Sequence, residues 1–185
     1  MSILKIVKYP DPVLKKKSLP VSKIDRETGR LLDDMLETMY DAPGVGLAAP
    51  QVGISQRILV VDVGQLEGEE RRPDPKAIIN PEIIHREGKI IWEEGCLSLP
   101  SLIVPVERSA KIIVKALSRE GKEIQILAEE LLAVAFQHEI DHLDGILLVD
   151  HISRLKRDLY KKKLEKNEFF EEETPPHSSR RAYIG

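Results

Sequence analysis

The sequence predicts an α+β fold in one domain, with mixed and antiparallel sheets packed around one central helix and a further helix on the surface near the C-terminus. Three observations predict it. The chain has 185 residues, a length that suits one compact domain and buries about two-thirds of the unfolded surface. Its elements run helix, strands, then helices, without the strand–helix alternation of a parallel α/β fold. Hydrophobic residues make up 42% and charged residues 32%, which excludes a chain too polar to build a core.

The elements follow in order. Asp11-Pro12 reads as an N-cap with proline at the first helical position, opening one or two turns through Lys17. Residues 26–41 form the first long helix, because Leu32, Met35, Leu36 and Met39 recur at spacings of three and four. Pro43 and Gly44 stop it. Residues 57–63 (Arg-Ile-Leu-Val-Val-Asp-Val) are a strand. Residues 64–76 are polar and rich in Gly, Glu, Arg and Pro, and read as an exposed loop. Residues 77–80 are a strand stopped by Pro81, and residues 83–84 and 89–92 read as a hairpin about Glu87-Gly88. Residues 102–106 are a short strand. Residues 111–117 and 123–127 pair across the turn Arg119-Glu120-Gly121-Lys122. A helix covers 129–143, with Leu131, Leu132, Val134, Ala135, Ile140 and Leu143 as apolar positions. A last helix covers 153–167 and lies on the surface, since Leu155, Leu159 and Leu164 are sparse on a basic background. Residues 1–167 thus read as one domain and 168–185 as a flexible polar tail without the apolar content to pack.

Charge and targeting narrow the function. Nothing in a net charge of -3 asks for a polyanionic partner through bulk charge. No apolar run approaches the ~20 residues of a membrane span. Residues 1–7 lack the apolar core and cleavage site of a secretory signal, so a cytoplasmic location is expected.

Three stretches carry chemistry. Gln137-His138-Glu139-Ile140-Asp141-His142 places two histidines four apart on the last buried helix. That spacing sets both rings on one face, where one divalent ion is held by both. Glu139 adjoins the first ligand and reaches a water there. The competing reading is two histidines at helical spacing by chance. Cys96 is the single cysteine, so it is a free thiol, a ligand or a nucleophile; the ordinary reading is a small buried hydrophobe. A thiolate with two histidines makes a Cys-His-His set with a fourth position open, the pattern of a catalytic rather than a structural site. His85, His151 and His177 sit in no such context. Finally, Gly44-Val45-Gly46-Leu47-Ala48-Ala49-Pro50-Gln51 is small and apolar but lacks the spacing of a phosphate loop. Small residues let another backbone come close, which suits a wall for an extended peptide.

With these residues in view, the chain resembles the peptide deformylase family. That family is marked by three short motifs in a fixed order, present here as residues 44–51, as Glu94-Gly95-Cys96-Leu97-Ser98, and as residues 137–142. The resemblance runs from about residue 3 to about residue 165. It implies an enzyme that removes the N-formyl group from the initiator methionine of new polypeptides and releases formate. It implies that Cys96, His138 and His142 hold the metal, with Fe(II) native and zinc or nickel able to replace it. Glu139 becomes the acid–base group. The Gln51 side-chain amide and the Leu97 N–H become donors to the oxyanion. Val45, Trp92, Leu131, Ala135 and the ring of His138 are placed around the methionine side chain. Gly44 to Gly46, with the stretch after Cys96, would pair with the peptide as an added strand. Asp141 and Glu94 are expected to fix ligands or loops, Arg108 to pair with Glu94.

The basic face of the last helix (Arg154, Lys156, Arg157, Lys161, Lys162, Lys163 and Lys166) reads as a solvated surface or, as the family implies, as a docking element for the ribosome. Two rival readings are a metallopeptidase with a downstream third ligand at Asp150 or His151, and a catalytically silent metal-binding relative.

Overall fold

A computed structural model of the chain describes residues 2–67, 70–166 and 181–184. Helix α1 spans Arg26–Asp41, as its periodicity predicts. Asp25 caps it: the carboxylate accepts from the N–H groups of Glu27 and Thr28 at 3.0 and 3.1 Å, donors that a helix start otherwise leaves unpaired. Leu32, Met35 and Met39 form its buried stripe.

The strands follow as β1 (Gly46–Ala48), β2 (Ile58–Val61), β3 (Gln65–Glu67), β4 (Glu70–Arg72), β5 (Lys76–Glu87), β6 (Ile90–Cys96), β7 (Leu99–Arg108), β8 (Lys111–Leu117) and β9 (Glu123–Glu129). Helix α2 is Glu130–Leu143, α3 is Arg154–Glu165, and β10 is Arg181–Tyr183. Five strands make an antiparallel sheet in the order β1-β2-β5-β8-β9. A second sheet runs β10-β6-β7, with β6 and β7 antiparallel and β10 parallel to β6. The fold is α+β with predominantly antiparallel sheets.

Strand β2 explains the unbroken apolar run in the sequence. Side chains alternate between its two faces. Ile58 and Val60 join the cluster of Leu32, Met35 and Met39 from α1. Leu59 and Val61 join the cluster of Val134, Ala135 and Phe136 from α2. A strand covered on both faces has no polar side to present. Helix α2 is likewise enclosed, with every residue from Ala133 to Ile140 buried. It packs on β1, β2, β8 and β9 of one sheet and on β7 of the other.

Several expectations are corrected. Residues 64–76 are not a plain loop, since β3 and β4 pair antiparallel there. Pro81 does not end the strand begun at 77: β5 runs through it, with a register shift between Ile79 and Glu82 and Asn80 at φ 51°. A bulge absorbs a proline that a regular ladder rejects. Residues 83–84 and 89–92 do not form a hairpin. Gly88, at φ 66°, turns the chain out of one sheet into the other, where β6 pairs with β7. The turn signal was local, but the long register available on β7 decided the partner.

Helix α3 is capped by Ser153, whose Oγ accepts from the Lys156 N–H at 3.3 Å. Its anchors are Tyr160, 6% exposed, and the partly buried Leu164 beside it, whereas Leu155 and Leu159 are 69% and 51% exposed. The Tyr160 hydroxyl donates to the Pro100 carbonyl at 2.9 Å. The expected polar tail, 168–185, falls mostly outside the described residues. Its described part, 181–184, packs: β10 pairs with β6 and Ile184 is fully buried. Among the described residues no helix is long and apolar enough to cross a membrane.

Candidate active site

The site forms where α2 meets the end of β6. His138 and His142 stand one turn apart, with ring centroids 5.0 Å apart. Cys96 closes β6 at a register shift between Gly95 and Cys96, a bulge of the kind that re-aims a side chain. Its Sγ lies 3.3 Å from His142 Nε2. One ligand atom from each of Cys96, His138 and His142 lies within 4.8 Å of the others, and all three residues are buried. His138 Nδ1 is 2.9 Å from Glu94 Oε2, which leaves its Nε2 buried and without a hydrogen-bond partner. A histidine fixed by a carboxylate on one nitrogen and open on the other has the arrangement of a metal ligand.

The electrostatics fit a cation. Burial pushes the Cys96 thiol up and His142 down. Burial, then the charge of Glu94, raises Glu139 well above the usual carboxylate range. Each shift favours the neutral form. Neutral imidazole is the ligating form, and a divalent ion is the countercharge that lets a buried thiol ionise. The Sγ already accepts from the backbone N–H groups of Ser98 and Leu99. The downstream residues offered as rival ligands are engaged elsewhere. Asp150 pairs with Lys15 at 2.5 Å and Arg157 at 3.5 Å, and His151 pairs with Asp141 at 3.1 Å.

Behind the ligands lies a buried ionic network. Arg108 binds Glu94 through two parallel bonds, Nε to Oε1 at 2.8 Å and an Nη to Oε2 at 2.9 Å. Its other terminal nitrogen donates to Asp141 at 2.6 Å. Burial works to raise Glu94, but the hydrogen bonds from Arg108 and His138 outweigh it and hold the carboxyl below its ordinary value. Asp141 is lowered too, against burial, by His151 and Arg108. One guanidinium thus ties β6, β7 and α2 together directly behind His138.

Gln51 is fully buried. Its Oε1 accepts from the Ala48 N–H at 2.8 Å, so its Nε2 points to Ser98 Oγ at 3.3 Å and Cys96 Sγ at 3.7 Å. Gly46 packs on Glu139: a Cβ added at Gly46 would stand 2.9 Å from Cγ and Cδ of Glu139. Gly46→Ala is therefore expected to displace the carboxylate and to lower activity on the order of a hundredfold, as misplacement of a catalytic group by about 1 Å does. Kinetics with metal content measured in parallel would check it; a fully active alanine variant would refute it.

Of the residues expected around the substrate side chain, Ala135 belongs to the buried cluster against which Val45, Trp92 and Leu131 pack. Gly44 and Val45 lead into β1, which starts at Gly46. A strand is seated there: the Val45 and Gly46 N–H groups donate to the Ile184 carbonyl at 3.1 and 2.6 Å. Leu97 follows Cys96 at the turn between β6 and β7, and its carbonyl accepts from the Lys8 ammonium.

Sequence reasoning missed three contributors. Ser98 receives the Gln51 amide; the motif at 94–98 ends on it, but gave it no role. The N-terminal segment braces both motifs, since the Val7 N–H donates to the Gln51 carbonyl at 2.7 Å and the Tyr9 N–H to the Ser98 carbonyl at 2.9 Å. Residues 181–184 were assigned to a polar tail, although Tyr183-Ile184 is an apolar pair after a long polar stretch.

Comparison with known proteins agrees with this geometry. The sequence model of the polypeptide deformylase family matches residues 3–158. The peptide deformylase of Thermodesulfovibrio yellowstonii is 54% identical over 165 residues, covering 89% of this chain and 98% of the relative. A peptide deformylase structure from Legionella pneumophila superposes with TM-score 0.81 at 46% identity, covering 90% of this chain and 95% of that one. One from Ehrlichia chaffeensis, in complex with actinonin, gives TM-score 0.84 at 42% identity, covering 92% and 100%. Motifs, buried Cys-His-His cluster, fold and relatives converge: the chain belongs to the polypeptide deformylase family, metal-dependent hydrolases that remove the N-formyl group from nascent peptides.

Proposed function

We propose that this chain hydrolyses the formyl amide at the N-terminal methionine of nascent polypeptides, releasing formate and a free amine. The observation that carries this reading is the juxtaposition of the Cys96, His138 and His142 donors with Glu139, whose two carboxylate oxygens are buried without a hydrogen-bond partner. Helix α2 is then the metal-binding helix of the fold. Fe(II) is the native ion in this reading, and Zn(II) or Ni(II) fits the same donors. A divalent ion held there supplies Lewis acidity toward the formyl carbonyl and acidifies water.

The chain's own residues do the rest. Glu139 accepts a proton from the attacking water and returns it to the leaving amine. Burial, then the charge of Glu94, raises its proton affinity above that of an ordinary carboxylate, as suits a group that carries a proton. Gln51 Nε2 and the Leu97 N–H donate to the developing oxyanion. Gly44, Val45 and Gly46 bind the peptide backbone as an added strand, and Val45, Trp92, Leu131 and Ala135 surround the methionine side chain. Glu94, held by Arg108, fixes the His138 tautomer. Residues 1–167 act as one catalytic unit in the cytoplasm.

The test is formate release. Formyl-Met-Ala should be cleaved by protein prepared without oxygen, and acetyl-Met-Ala should stay whole. Chelation should abolish the activity and Fe(II), Zn(II) or Ni(II) should restore it. Equal cleavage of the two peptides would overturn the reading.

The basic face of α3 is proposed to dock on the ribosome. Because Tyr160 anchors this helix, deleting it would also uncover core. Reversing Lys156, Lys162 and Lys163 to Glu is the cleaner test. It should weaken ribosome association at low salt at least tenfold, as loss of about three phosphate contacts does, and leave cleavage of formyl-Met-Ala unchanged. Unchanged ribosome association would count against docking.

A further inference from the structure

Strand β1 and strand β6 each turn an edge toward the cleft over Cys96 and Glu139. Exposed edges recruit a further strand. Residues 181–184 of this chain fill that place. Arg181, Ala182 and Tyr183 run parallel to β6 in register with Glu93, Glu94 and Gly95. The Ile184 N–H donates to the Gly95 carbonyl at 3.0 Å, and its carbonyl accepts from both Val45 and Gly46 at 3.1 and 2.6 Å. Ile184 is 0% exposed and lies in the cluster that holds Ala135, with Val45, Trp92 and Leu131 packed against it.

We propose that residues 181–184 are an intramolecular ligand of the peptide groove, with Ile184 occupying the apolar pocket, so that the chain competes with its own substrate. The proposal rests on the reading of the β1–β6 cleft as the substrate site. Three features carry it. The segment satisfies the backbone groups on both lips of the cleft. It places one aliphatic side chain, Ile184, in the cluster that holds the residues read as surrounding the methionine side chain. It also sits on Gly46, the residue that packs against Glu139. An internal peptide carries no formyl group, so the segment occupies the groove without being hydrolysed. Tethering makes the competition independent of protein concentration, because the local concentration of a linked ligand reaches the millimolar range.

The test compares the full-length chain with Ile184→Lys and Ile184→Val. Lysine is expected to expel the segment and lower KM for formyl-Met-Ala about tenfold, with kcat unchanged, since occupancy of a site scales apparent affinity and not turnover. Valine should keep the parent KM. Hydrogen exchange at the Val45 and Gly46 amides should be slow in the parent and fast in Ile184→Lys. Ile184→Gly, which removes the side chain without adding charge, should behave as the lysine variant does. If parent and lysine variant share one KM and one exchange rate, the proposal is overturned. If neither protein releases formate while the amides become exposed, intramolecular occupancy stands and the substrate reading of the groove fails.

Discussion

Glu139→Ala is expected to lower kcat for formate release by about two to four orders of magnitude, the range that loss of a positioned acid–base group produces. The carboxylate is fully buried and both oxygens lack a partner, an arrangement whose cost is tolerated only where the group has work to do. Burial and the neighbouring charge of Glu94 raise its proton affinity well above that of an ordinary carboxylate, the direction a proton-carrying group requires. Glu139→Gln separates this role from packing, since it keeps the shape and removes the titration. Both variants should retain the metal, because Cys96, His138 and His142 are untouched. A glutamine variant as fast as the parent, with equal metal content, would eliminate Glu139 as the proton carrier. The same pair of measurements disposes of the silent-relative reading.

Arg108→Met is expected to destabilise the fold by about 3–5 kcal/mol, the usual cost of leaving a buried charge without its partner. Glu94 is fully buried, and Arg108 satisfies both of its oxygens. Asp141 loses a partner too, but it is partly exposed and keeps His151. Unfolding by denaturant measures the loss. The same network sets the pH response. Glu94 and Asp141 are held below their ordinary values in the folded state. Their contribution is therefore present above the unfolded carboxylate pKa of about 4 and is lost as pH falls through the folded values. The parent should lose stability from about pH 5 downward, and Arg108→Met should show a shallower decline. Parallel profiles would mean that the guanidinium does not hold these carboxylates. Because Glu94 also binds His138 Nδ1, weakened metal retention should accompany the loss of stability.

Much of the site was legible because its signals are local. A helical repeat puts His138 and His142 on one face wherever the helix lies. Asp11 caps its short helical turn through a bond to the Val13 N–H only two residues on. The pairing of β8 with β9 follows from a tight turn. Cys96 was legible for a different reason: a lone thiol and two histidines complete one ligand set, and the three motifs recur in order. The errors share a cause. The turn at Gly88 looked like a hairpin, but a glycine at positive φ states only that the chain bends, not which strand it will meet. Pro81 looked like a strand end, but β8 could follow β5 past a bulge.

What the sequence determined by itself was therefore the set of periodic elements, the Cys96-His138-His142 cluster and the placing of Glu139 beside it, each encoded by spacing within a few residues or by chemical complementarity of rare side chains. Tertiary structure alone decided that Arg108, expected to pair with Glu94, also holds Asp141 behind His138, that Ser98 and the segment around Val7 brace Gln51 and Cys96, and that residues 181–184 lie across the cleft. These are contacts between residues far apart in the chain. Their formation depends on which sheet edges remain unpaired and on which charges are buried together, and both are settled only when the whole core closes.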